Sequence, residues 1–232
     1  MLNDQTRQIL SASRKWGWVQ EPEAKRLFSL RGMDVPRFLF ASRFEEVLPF
    51  TEANGFPVVC KVVSPQVLHK SDAGGVVVGV ESPERLKQVF DRFSRIEGFR
   101  GVLVEEMLSG VELIVGAKVD YQFGPVILLG MGGTGVEIYE DVTLRMAPLE
   151  ERDVMSMIQC LRGFKLLEGY RGSQPIDFDA LKKLLFSFSA LVMELEGEIE
   201  SIDLNPVLCS RTRCVIADAR IILSASPPSE AT

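Results

Sequence analysis

The sequence predicts an α/β protein made of two lobes. Strand-like and helix-like segments alternate through both halves of the chain. The strand-like runs are short, rich in valine and bounded by proline or glycine, whereas the helical stretches carry apolar residues at three- and four-residue spacing. The 232 residues suffice for one large domain or two small lobes with a proper core.

Residues 1–20 predict a short helix ending near Gly17, set outside the lobes as an extension. "EPEAKRLFSLRGM" opens on acids and closes at Gly32, as a helix should, with Leu27 and Phe28 facing a core. "VPRFLFA" and "PVVCKVVSP" read as strands. Between them, Phe44, Val47 and Leu48 recur at helical spacing. "GGVVVGV" is a further strand. In "SPERLKQVFDRFSRI", Ser82 takes the N-cap and Pro83 the first helical position, and Leu86, Val89, Phe90 and Phe93 share one face. These elements make a first lobe over residues 21–102.

A second lobe is expected over residues 103–224. "GVLVEEM", "VELIVGAKVD" and "GPVILLG" are strands, and residues 130–136 form a glycine-rich loop. Residues 150–162 and 176–196 predict amphipathic helices. The longer carries a stripe of Phe178, Leu181, Leu184, Leu185, Phe188, Leu191 and Leu195. "SIDLNPVLCSRTRCVIADARIIL" reads as two strands around a polar turn, and residues 225–232 as a frayed tail.

Composition narrows the function. A net charge of -6 leaves no basic face, which argues against a general nucleic-acid binder. No apolar run reaches the roughly 20 residues that span a bilayer, and the N-terminal stretch lacks the apolar core of a signal peptide. The cysteines at 60, 160, 209 and 214 match no zinc spacing and are expected as reduced thiols in a cytoplasmic protein.

The final hairpin carries the most chemistry. A turn centred between Arg211 and Thr212 pairs Cys209 with Cys214, Val207 with Ile216 and Asn205 with Asp218. Opposed residues of an antiparallel pair point to the same face with Cβ atoms about 5 Å apart. Alternation then puts Asp203, Asn205 and Val207 on one face and Leu204 and Leu208 on the other. Asp203, Asn205 and Asp218 offer oxygen ligands suited to Mg²⁺. A polar, solvent-facing hairpin accounts for the same spacing, and Asp203 opposite Arg220 fits a plain ion pair.

Lys61 lies in "VVCKVV" and needs an anionic partner or a route to water. A nucleotide phosphate would serve, as would a wet strand face. "LHKSDAGG" holds the chain's one histidine, His69, followed by Lys70 and Ser71. Gly74 and Gly75 either let backbone N–H groups approach a phosphate or make a tight turn. Glu105 and Glu106 close one strand and Glu112 opens the next; such acids either read a ribose or a metal or are simply solvated. "GMGGTG" is neither a phosphate-binding Walker loop nor a dinucleotide fingerprint. Arg145, in "TLRMAPL", is a candidate phosphate contact or a surface arginine.

Taken together, "PVVCKVVSPQVLHKSDAGGVVVGV", "GVLVEEMLSGVELIVGAKVDYQFGPVILLGMGG", "EDVTLRMAPL", "LLEGYRG" and "IDLNPVL" resemble, in order and spacing, the β subunit of NDP-forming acyl-CoA synthetases. These are the ADP-forming acetate–CoA ligases, relatives of succinyl-CoA synthetase. The resemblance covers roughly residues 21–224. It implies the ATP-grasp fold, two α/β (α+β) lobes around a nucleotide cleft, with ATP or ADP and Mg²⁺ as cofactors.

It also implies roles. Lys61 matches the lysine that contacts nucleotide phosphates. Glu105, Glu106 and Met107 match the strand whose backbone meets the adenine. Glu112 matches an acid near the nucleotide or the phosphohistidine loop. Asn205 and Asp218 match the metal pair, and His69 the histidine that carries phosphate, with Lys70, Ser71 and the glycine N–H groups steadying the charge. The family's metal strand often has glutamate where this chain has Asp203. The resemblance further implies a missing partner, an α subunit with CoA-binding and ligase domains that would bring CoA and a small carboxylic acid. Neither nucleic acid nor membrane is expected as a partner. A stand-alone carboxylate ligase and a non-catalytic nucleotide sensor are the rival readings, and neither needs a phosphate carrier at His69.

Overall fold

The computed structural model describes residues 2–133 and 140–225. Its contacts divide the chain into two units, one of residues 36–108, the other of residues up to Val35 with those from Ser109 onward.

The chain opens with helix α1 (Asp4–Ser13), started by Asn3, whose side-chain oxygen accepts the Thr6 N–H at 2.7 Å. A 3₁₀ turn ends at Gly17, whose φ of +74° is a left-handed stop that favours glycine. Strand β1 (Trp18–Val19) and helix α2 (Glu21–Leu30) follow. Pro22 and the acids Glu21 and Glu23 suit the first turn of α2. Leu27 and Phe28 are fully buried, as their spacing requires.

The 36–108 unit is a four-stranded antiparallel sheet of β2 (Phe38–Ala41), β3 (Val58–Val63), β4 (Val76–Val80) and β5 (Gly101–Glu106), in the order β2-β5-β3-β4. Helix α3 (Leu48–Asn54) follows a 3₁₀ turn over Phe44–Val47. Helix α4 (Pro83–Phe93) is capped by Ser82, which accepts the Arg85 N–H at 3.2 Å. Its predicted stripe of Leu86, Val89, Phe90 and Phe93 is buried against Val58, Cys60, Val62, Val102 and Val104. Burying each large side chain of that set contributes about 1.5–3 kcal/mol.

The second unit is a larger antiparallel sheet: β6 (Val111–Asp120), β7 (Gly124–Met131), β8 (Val142–Met146), β9 (Ile199–Cys209), β10 (Cys214–Ile216) and β11 (Arg220–Leu223). The strand order is β1-β11-β9-β6-β7-β8, with β10 also on β9. Helices α5 (Glu151–Gln159), α6 (Phe164–Leu167) and α7 (Phe178–Leu195) connect β8 to β9. Asp177 caps α7 by accepting the Ala180 N–H at 2.9 Å. The α7 leucines and Phe188 join Met157 and Ile158 of α5 in one core with Leu113, Val115, Ala117, Ile127 and Leu129 of the sheet. Every strand pairing among the described residues is antiparallel, so α+β describes both units better than a parallel α/β layering.

The lobe boundaries differ from the sequence expectation at both ends. Residues 1–20 are not an appendage: β1 pairs with β11 through Trp18↔Ile222 and Val19↔Ile221, and Leu10 is buried in the same core as Ile221. Helix α2 also belongs there, because Leu27 and Phe28 bury their apolar face in that core. Strand β5, expected to open the second lobe, pairs with β2 and β3 and stays in the 36–108 unit. These edges depend on pairings between distant residues, from Val63↔Gly101 to Trp18↔Ile222, which local periodicity does not reveal. Residues 134–136 of the glycine-rich loop and 226–232 of the tail lie outside the described residues.

Candidate functional site

In the 36–108 unit, the Lys61 ammonium lies 3.3 Å from the Glu105 carboxylate, and both side chains are buried. Glu105 opposes Val59 in the β3–β5 ladder and Lys61 opposes Leu103, so the two charges are diagonal neighbours on one face. Lys61 therefore does not sit on a wet strand face; its charge is balanced inside the protein. Burial, reinforced by the Glu105 charge, pushes the neighbouring Cys60 thiol up to about 12. Glu106 is held by Arg37, which donates its backbone N–H at 3.0 Å and its Nε at 2.9 Å. Met107 is exposed. Arg37 carried no motif and was missed by the sequence reading.

The 64–75 loop follows β3 directly and carries His69 at an exposed position. Its C-terminal end is a compact turn. The Gly74 N–H donates to Ser71 O at 3.0 Å and the Gly75 N–H to Lys70 O at 2.7 Å. Val62 N–H donates to Gly75 O at 2.8 Å, and Arg92 of α4 donates to Gly74 O at 3.0 Å. Of the two readings of Gly74 and Gly75, the tight turn is the one these hydrogen bonds form. Gly74 has φ +62°, and a Cβ on Gly75 would meet Val62 Cγ1 at 2.4 Å, so backbone geometry explains both glycines. The turn leaves His69, Lys70 and Ser71 as the loop's chemical side chains, with Lys70 half-buried.

In the second unit, Glu112 and Arg145 are on opposite faces of the sheet. Arg145 opposes Ile127, which opposes Ala117, and both of these are core residues under the helices. Its guanidinium donates to Ser156 Oγ of α5 at 2.6 Å and to Leu144 O at 2.7 Å. Glu112 alternates with the buried Leu113 and is exposed on the face away from those helices. Strand alternation turns Arg145 toward α5, where Ser156 engages it. Glu112 packs instead beside the start of the glycine-rich loop: Gly132 N–H donates to Glu112 O at 2.7 Å, and a Cβ on Gly132 would meet Glu112 Cβ at 2.8 Å. Asp141, just before β8 and also missed by the sequence reading, accepts the N–H groups of Arg162 at 2.8 Å and Gly163 at 2.7 Å.

The hairpin register is as expected at its ends, with Cys209↔Cys214, Val207↔Ile216 and Asp203↔Arg220. Asn205 and Asp218 therefore occupy matching positions between the two ladder segments. The face assignment needs correction. Leu204 and Val207 are both buried, because β9 shifts register against β6 between Leu113↔Val207 and Val115↔Leu204. Pro206, which has no N–H for the ladder, lies in this bulge. Its carbonyl accepts the N–H groups of Ala217 at 3.0 Å and Asp218 at 3.3 Å. Buried positions on the partner strand change phase with it, from Ala219 and Ile221 to Ile216 and Cys214. Asn205 is left exposed and Asp218 half-buried on the outward side. Asp203 accepts from Arg220 Nη2 at 3.2 Å, so the ion-pair alternative holds for it.

Asn205 and Asp218 are oxygen donors, which suits Mg²⁺ rather than a soft metal. Among the described residues no three His, Cys, Asp or Glu side chains gather into a metal cage. Mg²⁺ takes one or two protein ligands and fills its shell with phosphates and water. Among the described residues no helix is long and apolar enough to cross a membrane.

The ATP-grasp domain family matches residues 9–223. The acetate–CoA ligase [ADP-forming] I subunit beta of Pyrococcus furiosus is 39% identical over 211 residues, covering 88% of this chain and 90% of that protein. The acetate–CoA ligase [ADP-forming] I of Archaeoglobus fulgidus is 39% identical over 214 residues, but the match covers 89% of this chain and only 31% of that protein. Among solved structures, the dinucleotide forming acetyl-coenzyme A synthetase 1 of Ca. Korarchaeum cryptofilum has a chain 40% identical, with a TM-score of 0.82 over 94% of this chain and 100% of that one. It holds coenzyme A and Mg-AMPPCP, and its phosphohistidine segment points towards the nucleotide binding site. The chain belongs to the ATP-grasp family and, within it, to the β subunits of the ADP-forming acetate–CoA ligases.

Proposed function

We propose that this chain is the nucleotide-binding β subunit of an ADP-forming acyl-CoA synthetase and passes a phosphoryl group through His69. The observation that carries the reading is His69 itself. The chain's one histidine sits exposed on a loop whose far end is tied back to β3 and α4. A sensor or a ligase working through an acyl phosphate has no need of it.

In the ATP-consuming direction, a ring nitrogen of neutral His69 attacks the γ-phosphorus. The N–P bond forms as the bond to the ADP oxygen breaks. The reverse step makes ATP from phosphohistidine. Lys61, held by Glu105, supplies a cation for the phosphates. Glu112, Asn205 and Asp218 supply oxygen groups, and Lys70 neutralises charge on the loop. Mg²⁺, when bound by Asn205 and Asp218, spreads the phosphate charge. The backbone of Glu105, Glu106 and Met107 is the candidate adenine contact. Arg145 and Asp203 drop from the site, since α5 and Arg220 hold them.

The overall reaction is acyl-CoA + ADP + phosphate giving acid + ATP + CoA, run with an α subunit that binds CoA and the carboxylic acid. The A. fulgidus relative, about three times the length matched here, is consistent with both halves working together. The four free cysteines fit a cytoplasmic setting.

The test is to incubate the chain and its partner with γ-labelled ATP. An acid-labile, base-stable label is expected on this chain. His69→Asn abolishes the label and the overall reaction, while ATP still binds. Full activity in His69→Asn, with label confined to the partner, overturns the reading.

A further inference from the structure

We propose that Lys25, in the N-terminal helix α2, is the positioning residue for the Asp218 metal ligand. This rests on the nucleotide reading above and extends it to a residue distant in sequence. Lys25 is fully buried, and its Nζ donates to Ala217 O at 2.8 Å. The same ammonium is 3.0 Å from Glu21 Oε1, one helical turn back and equally buried.

The contact matters because of what Ala217 O belongs to. It is the oxygen of the peptide plane that joins Ala217 to Asp218. The N–H of that same plane donates to Pro206 O. A peptide plane is rigid, so pinning its oxygen and its N–H fixes where the Asp218 Cα sits and leaves one backbone torsion, φ of Asp218, between the pinned plane and the side chain. No strand ladder does this work, since β10 ends at Ile216 and β11 begins at Arg220. The α2 segment replaces the missing strand: Asp34 O, just past the helix, accepts the Ile216 N–H at 2.9 Å, and Lys25 takes the Ala217 carbonyl.

The choice of a lysine is informative. A buried ion pair is weak evidence for stability, since an apolar pair of similar volume packs at no greater cost. An ammonium anchored by Glu21 instead gives a donor of fixed position to the carbonyl of half-buried Ala217. Partners that orient a metal ligand from behind commonly govern affinity by about 10–100-fold.

The test measures ATP affinity of the full chain across a Mg²⁺ series and in chelator. It compares wild type, Asp218→Ala, Lys25→Met, and Lys25→Met combined with Glu21→Gln. The double variant removes both buried charges and guards against loss of fold. The expected result is a rise of about 10–100-fold in the Mg²⁺ needed for half-maximal binding, with affinity in chelator unchanged and Lys25→Arg partly restoring the response. Wild-type Mg²⁺ dependence in the double variant, alongside its loss in Asp218→Ala, overturns the role of Lys25 alone. A wild-type chain that does not bind ATP, or an Asp218→Ala chain with normal Mg²⁺ dependence, overturns the nucleotide or metal reading instead. Unfolding of both Lys25 variants also overturns the inference, because Lys25 then serves only the packing of α2.

Discussion

Lys61 and Glu105 form a buried ion pair, 3.3 Å apart on adjacent strands of the smaller sheet. Removing one member leaves the other charged and desolvated, which costs about 3–5 kcal/mol. Lys61→Ala is therefore expected to lower unfolding free energy by that order in urea, in addition to weakening ATP binding. Lys61→Met with Glu105→Gln should regain most of the stability and none of the binding. A Lys61→Ala chain of wild-type stability would show that water reaches the pair.

The turn beneath His69 gives a second prediction. A Cβ at Gly75 would lie 2.4 Å from Val62 Cγ1 and 3.0 Å from Lys70 O. Overpacking of this kind costs about 1–3 kcal/mol. Gly75→Ala should lower the melting temperature and slow phosphorylation of His69. Gly74→Ala meets no atom within 4 Å but must hold φ +62°, at a cost of roughly 1–2 kcal/mol. Unchanged melting in Gly75→Ala would mean that β3 and the loop shift apart easily.

The two hairpin aspartates should separate cleanly. Asp218→Ala is expected to raise the Mg²⁺ requirement for ATP binding. Asp203→Asn should leave it unchanged, because Asp203 is occupied by Arg220. That pair is partly exposed, so its loss costs about 0–1 kcal/mol. A large Mg²⁺ effect from Asp203→Asn would return it to the metal set.

Thiol reactivity offers a pH test. Cys160 is exposed, whereas Cys60, Cys209 and Cys214 are buried. Burial raises the Cys60 thiol to about 12 from an ordinary value of 9.0, so the folded chain keeps that proton after the unfolded chain has lost it. The resulting stability is complete below pH 9 and is lost as pH rises from about 9 to 12. One thiol, Cys160, should react rapidly with a disulfide reagent at pH 8 in the native chain, and all four after unfolding. Fast native reaction of Cys60→Ser and wild type with equal stoichiometry above one would show that another buried thiol is open.

What the sequence determined by itself is local. Ser82 and Pro83 start α4 as read, because a cap and a fixed φ act within one helical turn. The hairpin register around Arg211 and Thr212 was legible because a short turn sets the pairing on both sides of it. The family was legible because the motifs around His69, Asn205 and Asp218 resemble it in order and spacing along the chain. Tertiary structure decided everything that depends on distant partners. It set Glu105 against Lys61, turned Arg145 to Ser156, and flipped the phase of β9 where it passes β6. It also brought Lys25 of the first helices to the carbonyl before Asp218, 192 residues later. Periodicity states which face of an element is apolar. It does not state which other element covers that face, because that choice is made by burial summed over the whole core.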